Sequence, residues 1–95
     1  MELRKTDLYD RWLRGLCDIQ ARARINARVQ RLLEGKPGQH RVLAGGVVEL
    51  KVDYGPGYRV YYTRRGSVWI FLLCGGDKTS QKEDIAAALA LAANL

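Results

Sequence analysis

The stretch Glu49-Leu-Lys-Val-Asp-Tyr-Gly-Pro-Gly-Tyr-Arg-Val-Tyr-Tyr-Thr63 decides how this chain folds. In a β-strand, residues two apart share a face. The odd positions carry Glu49, Lys51, Asp53, Arg59, Tyr61 and Thr63, and the even positions carry Leu50, Val52, Tyr58, Val60 and Tyr62, with Val48 just ahead. A Gly55-Pro56-Gly57 reversal suits a tight turn, because proline presets φ and glycine accepts positive φ. With those three residues as the loop, Asp53 is expected opposite Arg59, and Lys51 opposite Tyr61. A one-residue slip would mix the polar and apolar sets, so the pattern itself selects a register. The polar face concentrates Glu, Lys, Arg and Tyr, a combination suited to a phosphate backbone. On this reading Arg59 faces solvent, and its removal should leave the fold intact.

Working outward, Val68-Trp-Ile-Phe-Leu-Leu-Cys74 is a continuous apolar run between glycines and reads as a buried central strand. Arg65-Gly66-Ser67 joins it to Tyr58–Arg64, and Val47–Tyr54 completes a three-stranded antiparallel meander. Met1–Lys5 is a candidate fourth strand. Asp7 to Gly35 reads as a helical hairpin broken near Gly15–Asp18. Leu8, Trp12 and Leu16 form one apolar stripe, and Ile25, Val29, Leu32 and Leu33 form another. Asp7 and Asp18 are the candidate caps, and Gly35 with Pro37 is the stop. Gly38–Gly46 reads as a loop. Ser80 and Glu83 have capping-box spacing at the start of a last helix. From Ile85 to Leu95 there is no charged side chain. That helix is expected to dock through Ile85, Leu89 and Ala92, leaving a side with Leu91 for a partner or second copy.

The 95 residues make one α+β domain, 1–95: a helical hairpin on a three- to four-stranded antiparallel sheet, with a C-terminal helix. The formal charge is +6, concentrated in residues 1–46, which hold ten Lys/Arg against five Asp/Glu. Such a balance favours nucleic acid, an anionic membrane or an acidic protein. No uncharged run is long enough to span a bilayer, and the N-terminus lacks a signal-like apolar region, so a cytoplasmic protein with no membrane partner is expected. Cys17 and Cys74 form neither a disulfide framework nor a zinc spacing, and both read as core fillers. With His40 as the single histidine, no metal site and no cofactor is expected.

Three places could carry chemistry. On the hairpin, Arg59 can grip a phosphate through its planar fork. Lys51 can neutralise charge or move a proton, and Glu49 can accept a proton or hold a cation in place. A cross-strand ladder of salt bridges is the plainer reading of the same residues. Gly75-Gly-Asp-Lys-Thr-Ser80 links the central strand to a helix start and brings Lys78, but lacks P-loop spacing. In the second helix, Arg24, Arg28 and Arg31 share a face that suits RNA or an acidic partner, and equally a solvated surface. Tyr61, on the polar face, is a candidate base-stacking platform. Trp12 and Trp69 read as core.

Taken together, Trp12-Leu13 and Leu16, Gly46-Val-Val-Glu-Leu-Lys51, Tyr54-Gly-Pro-Gly-Tyr-Arg-Val-Tyr61 and Leu73-Cys-Gly-Gly-Asp-Lys-Thr-Ser-Gln81 resemble the RelE/ParE toxin superfamily. The likeness is narrowest to the HigB-like addiction module killer proteins, and it spans nearly the whole chain. It implies a bacterial toxin of a type II toxin–antitoxin system, inhibited by a helix-turn-helix, HigA-like antitoxin. It also implies metal-independent endoribonuclease action on mRNA at the ribosome. Residue by residue, the resemblance matches Arg59 after Gly-Tyr, Lys51 in kind on the preceding strand, and Lys78 after the central strand. Many members carry a C-terminal Tyr or His near the scissile phosphate, whereas Gln81-Lys-Glu-Asp84 has neither. Proton transfer then falls to Lys51, Glu49, Asp84 or another lysine. The ParE-like branch, which inhibits DNA gyrase without a nuclease site, is the alternative reading. A non-catalytic RNA- or protein-binding module is another.

Overall fold

A computed structural model describes all 95 residues as an α+β domain built on one five-stranded sheet. In chain order the elements are β1 (Glu2–Lys5), α1 (Asp7–Gly15), α2 (Ile19–Leu33), β2 (His40–Val42), β3 (Val47–Val52), β4 (Tyr58–Arg65), β5 (Trp69–Gly76) and α3 (Gln81–Ala93). Short 3-10 turns at Ala44–Gly46 and Lys78–Ser80 precede β3 and α3.

The sheet order is β1-β5-β4-β3-β2. The meander β3-β4-β5 is antiparallel as expected, and two strands flank it: β1, the candidate fourth strand at Met1–Lys5, and the unexpected β2. β1 pairs with β5 in parallel, which makes the sheet mixed rather than antiparallel. β2 arises inside the segment read as a loop and pairs antiparallel with β3. Its three residues are all exposed, so they carry no burial pattern that the sequence could display.

Each face of the sheet buries its own apolar cluster. On the even-numbered face of β3 and β4, Leu50, Val52, Val60 and Tyr62 meet Ile70 and Leu72 of β5. Tyr9 of α1 and Ile25, Val29 and Leu32 of α2 cover them. On the other face, Val47, Tyr61, Leu73 and Cys74 meet Ala88 and Ala92 of α3. The layers are therefore helix pair, sheet, single helix. Burying one large apolar side chain in either cluster contributes about 1.5–3 kcal/mol. A bulge in β5 between Tyr61 and Tyr62 of β4 brings Leu73 and Cys74 to the same cluster.

Several local expectations change. Thr6, not Asp7, caps α1: its Oγ1 accepts from the Tyr9 amide at 3.1 Å and donates to the Leu73 carbonyl at 2.5 Å. Leu8 is exposed, and Tyr9 replaces it at the centre of the α1 stripe. Asp18 caps α2 as expected, accepting from the Gln20 and Ala21 amides. The box before α3 is formed by Asp77 and Ser80, not by Ser80 and Glu83. Cys74 is buried, but Cys17 is exposed in the break between α1 and α2. Trp12 and Trp69 are half-buried, and Arg4 lies 5.0 Å from the centre of the Trp69 ring. On α3 it is Ala88 and Ala92 that are fully buried, while Ile85, Leu89 and Leu91 pack half-buried beside them. The outer face shows Ala86, Ala90 and Ala93 rather than a leucine. No helix is long and apolar enough to cross a membrane.

Candidate functional site

The β3–β4 register is the first determinant of the site. Lys51 pairs with Arg59, Glu49 with Tyr61, and Val52 with Tyr58. This differs by two residues from the pairing expected of a three-residue loop. The reversal spans Asp53–Gly57, closed by the Tyr54 amide on the Val52 carbonyl (2.9 Å) and the Gly57 amide on the Tyr54 carbonyl (3.1 Å). A shift of two leaves every side chain on its predicted face. It does place Lys51 directly across from Arg59, an arrangement of like charges that is unfavourable unless something anionic attends it.

Gly57 lets the turn close over these cations. Its φ of 81° suits glycine, and a Cβ there would lie 3.5 Å from Arg59 Nη1 and 3.9 Å from the Lys78 side chain. Arg59 Nη1 donates to the Gly57 carbonyl at 2.8 Å, which bends the guanidinium back beneath the turn. Lys78 arrives from the 3-10 turn that follows β5. Lys51, Arg59 and Lys78 thus line one open cleft of about 270 Å³, together with Gln39, Asp53 and the turn. Three cations face one carboxylate there, and the lining is mostly polar. The arrangement can hold a phosphodiester and stabilise charge developing on it.

Behind the cleft lies a buried carboxylate. Glu49 is wholly buried and Arg59 is 7% exposed, so this face is not the solvated ladder suggested by alternation. α3 covers it. Glu49 Oε2 accepts from the Tyr61 hydroxyl (3.0 Å) and from Gln81 Nε2 (2.9 Å), and lies 3.6 Å from Arg59 Nε. Glu49 Oε1 lies 3.3 Å from Arg41 Nε without the alignment of a hydrogen bond. Arg59 Nε is likewise buried without a hydrogen-bond partner. The ion pairs therefore hold by charge and enclosure rather than by directed bonds. Glu49 does not line the cleft, so its expected role in proton transfer gives way to holding Arg59.

Tyr61 is also corrected. It is wholly buried and cannot stack on a base. Burial, and then its hydrogen bond to Glu49, push its hydroxyl pKa well above the usual tyrosine range. Beside the cleft, Asp77 accepts from the Thr79 hydroxyl and amide, which holds its carboxyl below the usual range. Asp84 accepts from Ser80 Oγ at 2.5 Å, yet burial raises its pKa overall. Gly76 makes that contact possible, because a Cβ there would overlap the Asp84 carboxylate.

The arginine row of α2 is only partly free. Arg28 donates to the carbonyls of Lys51, Pro37 (2.9 Å) and Gln39 (3.1 Å), tying the α2–β2 connection to β3. Arg24 lies 4.7 Å from the centre of the Tyr54 ring, and Arg31 is exposed. These three arginines border a separate depression of about 300 Å³, which meets the hairpin at Val52 and Asp53. Gln39, Arg41 and Gln81 join the site without having been given a role in sequence, and Asp53, already placed on the polar face, lines the cleft. Only the pairing of Arg41 with Glu49 across β2–β3 would have revealed Arg41. No group of three or more His, Cys, Asp or Glu converges as a metal site.

No protein-family profile matches the chain. A Haemophilus influenzae protein named "Uncharacterized protein" is 42% identical over 95 residues, spanning 100% of this chain and 96% of that protein.

Proposed function

The chain belongs to one family with the Haemophilus influenzae protein, and we propose that it is the toxin of a type II toxin–antitoxin pair, with a RelE-like, HigB-type domain. Its action is cleavage of mRNA on the ribosome. One observation carries the reading: Lys51, Arg59 and Lys78, from two strands and a following turn, converge on one open cleft whose lining holds one carboxylate, Asp53, with Glu49 paired to Arg59 from behind. Lys51 and Arg59 stand directly opposed across the ladder, a placement that a bound phosphate turns from repulsive to favourable.

In the proposed reaction a ribose 2′-hydroxyl attacks the adjacent phosphorus, and the P–O5′ bond breaks. A cyclic phosphate and a free 5′-hydroxyl result. Arg59 and Lys78 stabilise the charge on the non-bridging oxygens, an effect that is typically worth about 10²–10³ in rate for each well-placed donor. Lys51 and Asp53 are the cleft groups able to move the proton, and no metal takes part. The cognate partner is a helix-turn-helix antitoxin, and the site of action is the cytoplasm.

The test is primer-extension mapping of mRNA cut by ribosomes supplied with the purified protein, comparing wild type with Lys51→Gln and Arg59→Lys. Cleavage should fall at least a hundredfold in the variants. Undiminished cleavage in both would refute the assignment of the cleft. The burial of Glu49 favours a second reading, since it withdraws one carboxylate from the reacting face. In that case the domain inhibits DNA gyrase without cutting RNA, and purified gyrase would lose supercoiling activity while mRNA stays intact.

A further inference from the structure

A second groove adjoins the first. It is about 520 Å³, more open, and lined by Arg41, Lys78, Gln81 and Lys82, with Glu83 the one acidic side chain. Lys78 lines both grooves and stands as the ridge between them. Glu49 lies behind both. Its Oε2 is 3.6 Å from Arg59, in the first groove, and its Oε1 is 3.3 Å from Arg41, in the second. A single buried carboxylate therefore fixes one arginine in each groove. About half of the Arg41 side chain remains exposed beyond that anchor. The two acids beside these residues in sequence turn away: Asp77 accepts from Thr79 within its own loop, and Asp84 accepts from Ser80.

We propose that the Arg41–Lys78–Lys82 groove is a second phosphate subsite, continuous with the Lys51–Arg59–Lys78 cleft, so that a single-stranded RNA backbone crosses the Lys78 ridge. The proposal rests on the nucleic-acid reading of the first cleft and extends it to residues outside that cleft. Cations fixed in sequence along a groove track a flexible backbone without reading bases. Each phosphate contact on a single strand adds about 0.7 to the steepness of the salt dependence of binding.

The experiment is fluorescence anisotropy with a labelled RNA of about 12 nucleotides and with a trinucleotide, over about 50–200 mM salt. Arg41→Gln/Lys82→Gln should flatten the slope of log affinity against log salt by about 1.4 for the longer RNA, and weaken its binding at least tenfold. Lys82→Gln alone, which leaves the Glu49 ion pairs intact, should flatten it by about 0.7. Trinucleotide binding in the first cleft should not change. Lys51→Gln should weaken both RNAs. A neutral double variant beside a weakened Lys51→Gln overturns the second subsite and leaves the first cleft standing. Wild-type protein that binds neither RNA, or binds without salt dependence, overturns the function reading and the subsite together. Equal loss of trinucleotide binding in the double variant also overturns the proposal, because the grooves would then not be separate. Tighter binding of oligoglutamate than of RNA, lost in Lys82→Gln, would assign the groove to an acidic protein and overturn it as well.

Discussion

Removing Arg59 should damage the fold as well as the site. The Arg59 side chain is 9% exposed and that of Glu49 is fully buried, with the two charges 3.6 Å apart. Arg59→Ala strands the Glu49 carboxylate in the interior. Breaking a buried pair from one side typically costs about 3–5 kcal/mol. Glu49 keeps the Tyr61 hydroxyl, the Gln81 amide and the half-exposed Arg41, so the lower end applies, about 3 kcal/mol. For a domain of this size that corresponds to a fall in Tm of about 12–24 °C. The control is Glu49→Gln in the same background. A neutral amide can still accept from Tyr61 and no longer strands a charge, so the double variant should regain a substantial part of the loss. Urea unfolding of wild type, both single variants and the double variant gives the coupling energy, expected at about 0.5–3 kcal/mol. Arg59→Ala within about 0.5 kcal/mol of wild type, the range of ordinary surface substitutions, would refute the reasoning. Loss of growth arrest in Arg59→Ala is accordingly interpretable only beside Arg59→Lys, which keeps the charge and loses the fork.

Other consequences are simpler to check. Burial pushes the Cys74 thiol up to about 12, while Cys17 is exposed, so native protein should take up one equivalent of alkylating reagent at mildly basic pH and denatured protein two. A Cβ on Gly75 would overlap the Trp12 ring, so Gly75→Ala should destabilise by about 1–3 kcal/mol, read from urea midpoints. The Thr79 hydrogen bonds lower the Asp77 pKa, so its contribution to stability is present above the ordinary carboxylate pKa and is lost as pH falls through the folded value. Burial raises the Asp84 pKa, so its contribution is present below the unfolded pKa and lost as pH rises through the folded one. Urea midpoints followed across the carboxylate range should therefore lose the acid-side decline in Asp77→Asn and the opposite trend in Asp84→Asn.

The hairpin faces were legible in sequence because alternation survives any even shift of register. Five-residue and three-residue loops both keep Lys51 and Arg59 on one face, so pattern alone could not separate the observed pairing from the expected one. What pattern could not show was that α3 covers that face. Polar alternation reads as solvated whether or not a helix lies over it, and Glu49, Tyr61 and Thr63 are buried beneath one. The convergence of Lys78 with Lys51 and Arg59 depends on where the chain leaves β5, which no local signal fixes. The strand that was missed is a short edge, β2, exposed throughout, whereas β1 was a candidate fourth strand whose parallel pairing with β5 no pattern showed. Tyr9 escaped notice because Leu8, beside it, is the more apolar residue and points outward.

The parallel pairing of β1 with β5 has a consequence for synthesis. Glu2 pairs with Trp69, and Thr6 bonds the Leu73 carbonyl 67 residues away. β1 must therefore wait for β5. At about 5–20 residues per second, that wait is roughly 3–13 s. Until β5 emerges, β1 has no partner, the apolar faces of α1 and β4 lack much of their covering, and Lys78 has not yet been made. Non-local pairing of this kind also slows refolding. Nascent chains halted at Gly66 should be cut by protease as readily as unfolded ones, with resistance appearing only once β5 and α3 clear the tunnel. The cleft is thus assembled only after β5 and the turn that carries Lys78 have been made.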